Sequence, residues 1–463
     1  MLGRLMKGVG ANIFDKLIVA GSQLAMVPVL AGSWGLQVYG LWVLLSTIPS
    51  FLAMGDLGFA TAAGTKMTMA AARGDRLEVI SVFQSALRVI LASSALLLLA
   101  ALAVAGLIPS EVLGSGQIVP VKEARVTLFL VLIYGIAVLQ GSIFFAAFRA
   151  AGLFALGAFW NALIILVESS VLICAVLLGA GPSGAAAAWL VGRVLGIIGQ
   201  NILVRHHIPW LKIGVRNGSM AEVRALLAPA GAVMLVPAAQ ALSLQGTAIA
   251  LGAAAGPAAV PLFTTARTLS RIGLQLCWLL NSALMPEFSA AAARDDRRAM
   301  AVMVGGTIAA SVFLVLPFAL GFGLLGRTAI ELWTGGVVHP AHSVIWAMAA
   351  VTLFGGFWYP LSNLILALNR HGSYAGWYLA LAVASVPAAF VMSESLGATG
   401  AALALLGLDF SMLIVISLLA RRLLVTGSEL RGTSSFIARR ILSVIGRRQT
   451  RIFPSRHDGP SRQ

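Results

Sequence analysis

Two arginines lie four residues apart within an apolar stretch that is long enough to cross a bilayer. Arg267 and Arg271 occur in the stretch 257–286, and this spacing places both side chains on one face of a helix. A guanidinium at the centre of a spanning helix costs about 2.5–3.5 kcal/mol on insertion scales, so it is retained where it faces a partner or a wet cavity. The spacing predicts either a binding site for an anion or a structural ion pair with a neighbouring helix.

Further charged residues fall inside other apolar stretches. In the first stretch, Lys16 could meet an anionic headgroup while Asp15 orients it or carries a coupling proton; the alternative is an interfacial pair whose side chains extend to water. Glu168, Arg193 and Asp409 fall near the middle of the fifth, sixth and twelfth stretches. We expect these three either to neutralise one another and fix the helices or to form a coupling site for H⁺ or Na⁺.

The elements that must position these charges are membrane-spanning helices. The chain is 59% hydrophobic and 10% charged, and apolar runs of about 20 residues, the length of a spanning helix, recur throughout. This pattern predicts an all-α polytopic membrane protein with about twelve transmembrane helices. Cys174 and Cys277 both lie inside apolar runs, and P-loop, zinc and nucleophile–base signatures are absent from the sequence. We therefore expect a transporter rather than an enzyme, with no cofactor and no metal site.

The charge distribution predicts topology. A net charge of +16 would suggest a nucleic-acid partner in a soluble protein, but here the basic residues concentrate in loops on one predicted side, and only Lys122, Arg125 and Arg327 fall on the other. Because cytoplasmic loops carry the excess of Lys and Arg, both termini are predicted to be cytoplasmic. The expected location is the bacterial inner membrane, with no nucleic-acid partner.

An internal repeat predicts the domain organisation. Three pairs of segments match in the same order along the chain: Ala70–Arg76 with Ala291–Arg297, Arg149 with Arg370, and the alanine-rich segment from Gly184 with that from Gly400. These matches predict two six-helix bundles related by a pseudo-twofold axis along the membrane normal, with the substrate between them. The predicted parts are an N-terminal bundle (1–204), a basic cytoplasmic linker (205–225), a C-terminal bundle (226–420) and a basic tail (421–463).

The basic tail contains one amphipathic segment. In residues 434–452, isoleucine and valine side chains recur at helical spacing with arginines between them. This pattern is typical of a helix that lies on anionic inner-leaflet lipid. The alternative is a disordered cationic tail that only fixes the topology.

Several short motifs resemble one transporter family over roughly residues 1–420. They are Tyr39-Gly-Leu-Trp42, Gly55-Asp-Leu-Gly58, Ala71-Ala-Arg-Gly-Asp75, Met285-Pro-Glu-Phe-Ser289 and Arg294-Asp-Asp296. In these motifs the chain is similar to the polysaccharide and O-antigen flippases of the multidrug/oligosaccharidyl-lipid/polysaccharide exporter superfamily. The resemblance implies a V-shaped pair of bundles that opens to one side at a time, with cations embedded in its central cavity.

The same resemblance implies a cargo. It would be an undecaprenyl-diphosphate-linked oligosaccharide, the repeat unit of O-antigen, exopolysaccharide or capsule, moved to the outer leaflet by alternating access and coupled to an ion gradient. A diphosphate needs fixed cations, a role that Arg267 and Arg271 suit. The first alternative is a multidrug/cation antiporter of the same superfamily, against which these arginines argue. Others are a membrane polysaccharide polymerase or a partner in a polysaccharide assembly complex.

Overall fold

The computed structural model describes residues 2–56, 58–107, 118–368, 370 and 372–423, and helices account for nearly all of them, with no strand. In a bilayer a helix satisfies its backbone groups internally, so these apolar segments fold as helices. The predicted tail helix 434–452 lies outside the described residues. The helices are α1 (Leu2–Leu52), α2 (Phe59–Ala72), α3 (Arg76–Leu107), α4 (Val121–Ala150), α5 (Phe154–Leu177), α6 (Pro182–His207), α7 (Met220–Ala241), α8 (Thr247–Ala255), α9 (Ala259–Ala293), α10 (Arg297–Trp333), α11 (His342–Ala367), α12 (Gly372–Leu396) and α13 (Ala398–Leu423).

Ten helical segments among the described residues are long and apolar enough to cross a membrane, so the chain is a multi-pass membrane protein. One segment, Ile13–Asp56, runs through two of the predicted spans. Gly35 divides it, with φ 70° and ψ 174°, a conformation that glycine adopts at no steric cost. Helix α9 is not among the ten, because its two arginines and its amide side chains make it more polar than its neighbours.

The chain forms two compact units. Unit 1 comprises residues 1–269, 322–348 and 378–408, and unit 2 comprises residues 270–321, 349–377 and the chain from 409. In unit 1, α2, α3 and α4 pack around buried aromatic side chains that include Phe59, Phe83 and Phe148. In unit 2, Gly356 of α11 lies against Val315 of α10. The division into six-helix bundles 1–204 and 226–420 stays a prediction.

The turns that join α2 to α3 and α9 to α10 have the same hydrogen bonds. The amide of Asp75 donates to the carbonyl of Ala70, and that of Asp296 donates to Ala291, both at 3.0 Å. The carboxylate of each of these aspartates then accepts from the amide three residues later and caps the following helix. Gly74 and Asp295 take the left-handed conformation at matching positions, with φ 80° and 51°. The first sequence match is thus also a structural match.

The other two matches have different outcomes. Gly184 and Gly400 are each the third residue of their helices, α6 and α13, so this match is structural too. Arg149 lies in the last turn of α4, whereas Arg370 lies beyond the end of α11. The match of Arg149 with Arg370 therefore stays a prediction.

A proline in α1 frees a carbonyl that a distant tryptophan satisfies. Pro28 lacks an amide hydrogen, so the carbonyl of Leu24 loses its helical partner. The indole Nε1 of Trp333, at the end of α10, donates to this carbonyl at 2.8 Å, and both residues belong to unit 1. Within unit 2, Pro360 likewise frees the carbonyl of Gly356, which accepts from the hydroxyl of Ser311 at 2.7 Å. Side chains thus replace the helix bonds that these prolines remove.

We expect Trp333→Phe to destabilise the protein by about 1–3 kcal/mol, because the Leu24 carbonyl is left without a partner in a poorly hydrated site. Thermal unfolding of the detergent-purified protein measures the loss. In a Pro28→Ala background the new amide supplies a donor to Leu24, so Trp333→Phe should cost much less there. Trp377→Phe, at a tryptophan that is 61% exposed, is the control. An equal loss in both backgrounds would contradict the role assigned to the indole.

The linker between the predicted halves is fastened to α3. Gln84 donates through Nε2 to the carbonyl of Lys212 at 2.8 Å and accepts from the amide of Asn217 at 2.5 Å. The hydroxyl of Ser85 accepts from the amide of Ser219 at 2.8 Å, and Arg88 donates to the carbonyl of Val215 at 2.7 Å. Side chains from two successive turns of α3 therefore hold the linker backbone.

Candidate functional site

Glu168 and Arg193 form a buried ion pair between α5 and α6. An Nη2 of Arg193 lies 2.6 Å from Oε1 of Glu168, and the hydroxyl of Tyr134 on α4 donates to the same oxygen at 3.0 Å. Gly192 allows the helices this close, since a Cβ there would lie 2.6 Å from the Cα of Glu168. Trp189 stacks on the Tyr134 ring at 3.8 Å. All of these residues belong to unit 1.

This ion pair is shielded from solvent, and not all of its polar atoms form hydrogen bonds. Glu168 is 3% and Arg193 9% exposed, so both charges have lost their hydration, which costs several kcal/mol per ion. Their mutual attraction and the Tyr134 hydroxyl compensate, but Oε2 of Glu168 and Nε of Arg193 make no hydrogen bond. The geometry fits a group that fixes α4, α5 and α6 relative to one another.

Asp409 occupies the position of α13 that corresponds to Arg193 in α6, and its partners lie in unit 2. The indole Nε1 of Trp358 on α11 donates to Oδ1 of Asp409 at 2.6 Å, and Tyr359 stacks on Trp358 at 3.9 Å. Asp409 is 5% exposed. Within unit 2, Asp409, Trp358 and Tyr359 thus form a cluster, and the mutual neutralisation of Glu168, Arg193 and Asp409 stays a prediction.

Asp15 and Lys16 lie on α1 against α5 in unit 1. The side-chain amide of Asn161 donates to Oδ1 of Asp15 at 2.9 Å, and Nζ of Lys16 lies 3.5 Å from Oδ2. Asp15 is buried, whereas the Lys16 side chain is 54% exposed. Stacking of Phe14 on Phe159 at 5.5 Å holds the same two helices together. The Asn161 amide therefore fixes the Asp15 carboxylate, which could in turn orient the exposed ammonium group of Lys16.

The two arginines of α9 have different surroundings. Arg267 belongs to unit 1, where it donates to the carbonyl of Leu244 in a π-helical turn and lies over the Phe263 ring at 5.2 Å. Arg271 belongs to unit 2 and is exposed. Because the boundary between the units falls between them, their predicted joint binding of one anion stays a prediction.

Sequence reasoning missed the neutral partners in each cluster. Tyr134, Asn161 and Trp358 hold the carboxylates, and the Leu244 carbonyl holds Arg267. Nothing in the spacing of these residues distinguishes them from ordinary helix packing. A polar side chain within an apolar run was the available signal for Asn161, since such groups favour interhelical hydrogen bonds.

Similarity to solved structures identifies the fold. The chain is similar to a MATE-family multidrug resistance transporter of the MOP superfamily in an inward-facing conformation, with a TM-score of 0.67, 17% identity, and coverage of 90% of this chain and 99% of that one. The chain has the fold of the MOP-superfamily transporters. Neither a protein-family model nor a curated protein sequence matches it.

Two further structures share the MOP fold with this chain. One is the lipid II flippase MurJ in an inward closed conformation, with a TM-score of 0.65, 13% identity, and coverage of 91% of this chain and 88% of that one. The other is a MOP-superfamily transporter from Pyrococcus furiosus, described as having a binding pocket of reverse polarity. Its TM-score is 0.60, with 16% identity and coverage of 90% of this chain and 95% of that one. At these identities the similarity establishes the fold.

The charged residues within the spans differ in their exposure. Three carboxylates within the apolar stretches, Asp15, Glu168 and Asp409, are all buried and hydrogen-bonded. The basic groups Lys16 and Arg271 are exposed. Among the described residues, no cluster of three or more His, Cys, Asp or Glu side chains could hold a metal ion. Lys16 and Arg271 are therefore better placed to meet a solute than these three carboxylates.

Proposed function

We propose that this protein is a flippase that moves a polyprenyl-diphosphate-linked oligosaccharide across the bacterial inner membrane by alternating access. The observation that carries the proposal is the exposure of Lys16 and Arg271 together with the burial of Asp15, Glu168 and Asp409. A diphosphate headgroup in a low-dielectric pathway needs fixed cations, and an arginine fork matches phosphate oxygens. A neutral glycan needs only weakly polar surroundings.

The MOP fold supports this proposal at a coarser level. One similar structure is a lipid II flippase, whose cargo by name is lipid-linked. In our proposal, the headgroup contacts Lys16, Arg267 and Arg271, the lipid tail remains in the bilayer, and the protein supplies no covalent chemistry. The gradient that drives the cycle is carried by H⁺ or Na⁺, for which the buried carboxylates Glu168 and Asp409 are the candidates.

A multidrug antiporter is the second candidate, because other similar structures are MATE-family multidrug transporters. A cationic drug would need a carboxylate that it can reach. The mid-span carboxylates Glu168 and Asp409 are buried and already accept hydrogen bonds. Purified protein that binds an organic cation, and not a diphosphate lipid, would favour the antiporter.

Native mass spectrometry of protein from cells that make surface polysaccharide tests the cargo. We expect a polyprenyl-diphosphate glycan bound to the wild type and at least about tenfold less on Lys16→Gln/Arg271→Gln, since each charge-assisted hydrogen bond contributes about 1.5–3 kcal/mol. Arg294→Gln/Arg297→Gln, which alters two exposed arginines of the α9–α10 turn, should retain the cargo. Bound glycan lipid on the double Lys16/Arg271 variant at wild-type level would refute the site, and none on the wild type would refute the function.

A further inference from the structure

The linker runs along α3 towards the lipid-facing part of that helix. At one end of this contact, the guanidinium of Arg76, the first residue of α3, lies 5.5 Å from the centre of the Trp210 ring. At the other end, Arg88 donates to the carbonyl of Val215 at 2.7 Å. Arg88 lies about 18 Å further along the helix than Arg76, at 1.5 Å per residue. The linker therefore follows α3 from its first turn to the level of Arg88.

The side chains of α3 beyond this contact indicate its depth in the bilayer. From Arg88 to Leu107 the helix is apolar apart from two serines, a length of about 28 Å that matches the hydrocarbon thickness of a bilayer. Leu91, Leu96 and Leu99 on this stretch are exposed, as lipid-facing side chains are. The linker therefore lies at the membrane–water boundary, on the predicted cytoplasmic side.

The linker backbone is fixed at this depth. Besides its hydrogen bonds to Gln84, Ser85 and Arg88, it approaches the α3 backbone closely, since a Cβ at Gly218 would lie 3.1 Å from backbone atoms of Gln84 and Ser85. Leu211 is buried in the core that α2, α3 and α4 form. The exposed side chains of the linker therefore project from a backbone that is already ordered.

The linker exposes two basic side chains and an apolar side chain between them. Lys212 and Arg216 are exposed, and Val215 is 40% exposed. The segment 208–219 contains no acidic residue. This combination at a bilayer surface fits an anionic lipid, because the cations attract the phosphate and the apolar side chain can enter the acyl region.

The neighbouring carboxylates do not neutralise these two cations. Glu222, in the first turn of α7, pairs with Lys66 at 2.5 Å. Glu78, in the first turn of α3, pairs with Arg73 at 2.5 Å. Across the ranges that the structure describes, no carboxylate forms an ion pair with either of the two linker cations. Their charge is therefore available to a ligand.

We propose that the linker segment 210–217 is a binding site for an anionic phospholipid of the inner leaflet. Lys212 and Arg216 contact the phosphate oxygens, and Val215 contacts the acyl chains. Because Ser219 caps α7 just beyond this segment, the lipid is held beside the point at which α7 begins. The site uses none of the residues proposed to contact the cargo, so it does not depend on the identity of the cargo.

Native mass spectrometry of delipidated, detergent-purified protein tests this site. Phosphatidylglycerol and phosphatidylcholine are added in equal amounts, and the lipid retained on the protein is measured. We expect the wild type to retain phosphatidylglycerol in preference to phosphatidylcholine. Lys212→Gln/Arg216→Gln should retain less phosphatidylglycerol, by roughly fivefold for each charge removed, the usual attraction of one basic residue to an anionic surface.

Arg294→Gln/Arg297→Gln is the charge-matched control. It removes two exposed arginines from the α9–α10 turn, the counterpart in unit 2 of the α2–α3 turn, and should retain phosphatidylglycerol nearly as the wild type does. An equal loss in both double variants would show that total charge attracts the lipid, and this would overturn the site. Equal retention of the two lipids by the wild type would overturn it as well.

Two further measurements distinguish a lipid site from a site for free phosphate. Excess inorganic phosphate should not displace phosphatidylglycerol from the wild type, and displacement would overturn the assignment to lipid. Val215→Ser should lower the retention of phosphatidylglycerol while its preference over phosphatidylcholine persists. If the double variant is not monodisperse, Lys212→Gln and Arg216→Gln are measured singly, and wild-type retention by both would overturn the proposal.

Discussion

Arg193→Met should lower the free energy of unfolding by about 3–5 kcal/mol, because it leaves the Glu168 carboxylate buried without its cation. The expected readout is a large fall in the melting temperature of the detergent-purified protein. Such a loss exceeds that of most single substitutions. Arg297→Met breaks the Asp295–Arg297 pair, which is exposed on both sides, and should cost less than about 1 kcal/mol.

A double variant distinguishes the loss of the Glu168–Arg193 attraction from the cost of leaving the Glu168 carboxylate buried without a partner. When Glu168→Gln is added to Arg193→Met, no buried charge remains, and the amide can still accept from the Tyr134 hydroxyl. Replacing both members of a buried pair is often close to neutral, so the double variant should recover most of the stability. A melting temperature of Arg193→Met equal to that of the wild type would show that the ion pair does not hold α5 and α6 together.

Gly40→Ala should also be strongly destabilising, by about 1–3 kcal/mol or more. A Cβ at Gly40 in α1 would collide with the backbone carbonyl of Pro257 and approach the ring of Pro261. A backbone group cannot rotate away as a flexible side chain can, so the segment before α9 must shift. Thermal unfolding and the yield of monodisperse protein both report this change.

Gly32→Ala is the matched control for Gly40→Ala because Gly32 is a glycine of the same segment α1, just before the break at Gly35. The space around Gly32 is open within 4 Å, and alanine is a better helix former than glycine by about 1 kcal/mol. Gly32→Ala should therefore leave stability unchanged or raise it. If both variants were equally stable, the close approach of Pro257 to α1 would not contribute to the fold.

The helices were predictable because the length and hydrophobicity of each apolar run indicate a spanning helix without reference to the rest of the chain. The run at α5 and the turn at Ala70–Arg76 need no information from elsewhere in the chain, and the repeat at Ala291–Arg297 identified the second turn. The continuity of the first two spans was missed, because glycine at position 35 permits a helix, a turn or the observed break. The local sequence pattern thus predicted the helices better than the points at which they break or join.

The charged residues of the candidate site could be named from the sequence, but their contacts could not. Charges within apolar runs are conspicuous, so Glu168, Arg193 and Asp409 could be named from sequence. Their pairing depends on which helices are neighbours and on rotation about each helix axis. The acceptor for Arg267 is a backbone carbonyl in a π-helical turn, which any residue type could have provided.

The fastening of the linker to α3 has a consequence for biosynthesis. The contacting residues of α3 precede the linker by more than a hundred residues. They are Gln84, Ser85 and Arg88, and they form hydrogen bonds with its backbone rather than with its side chains. Because domains form from the N-terminus as the chain is made, α3 is already in the membrane when residues 212–219 leave the ribosome. The last of these hydrogen bonds is formed by Ser219, which also caps α7. The earlier-made α3 thereby sets the position at which α7 begins.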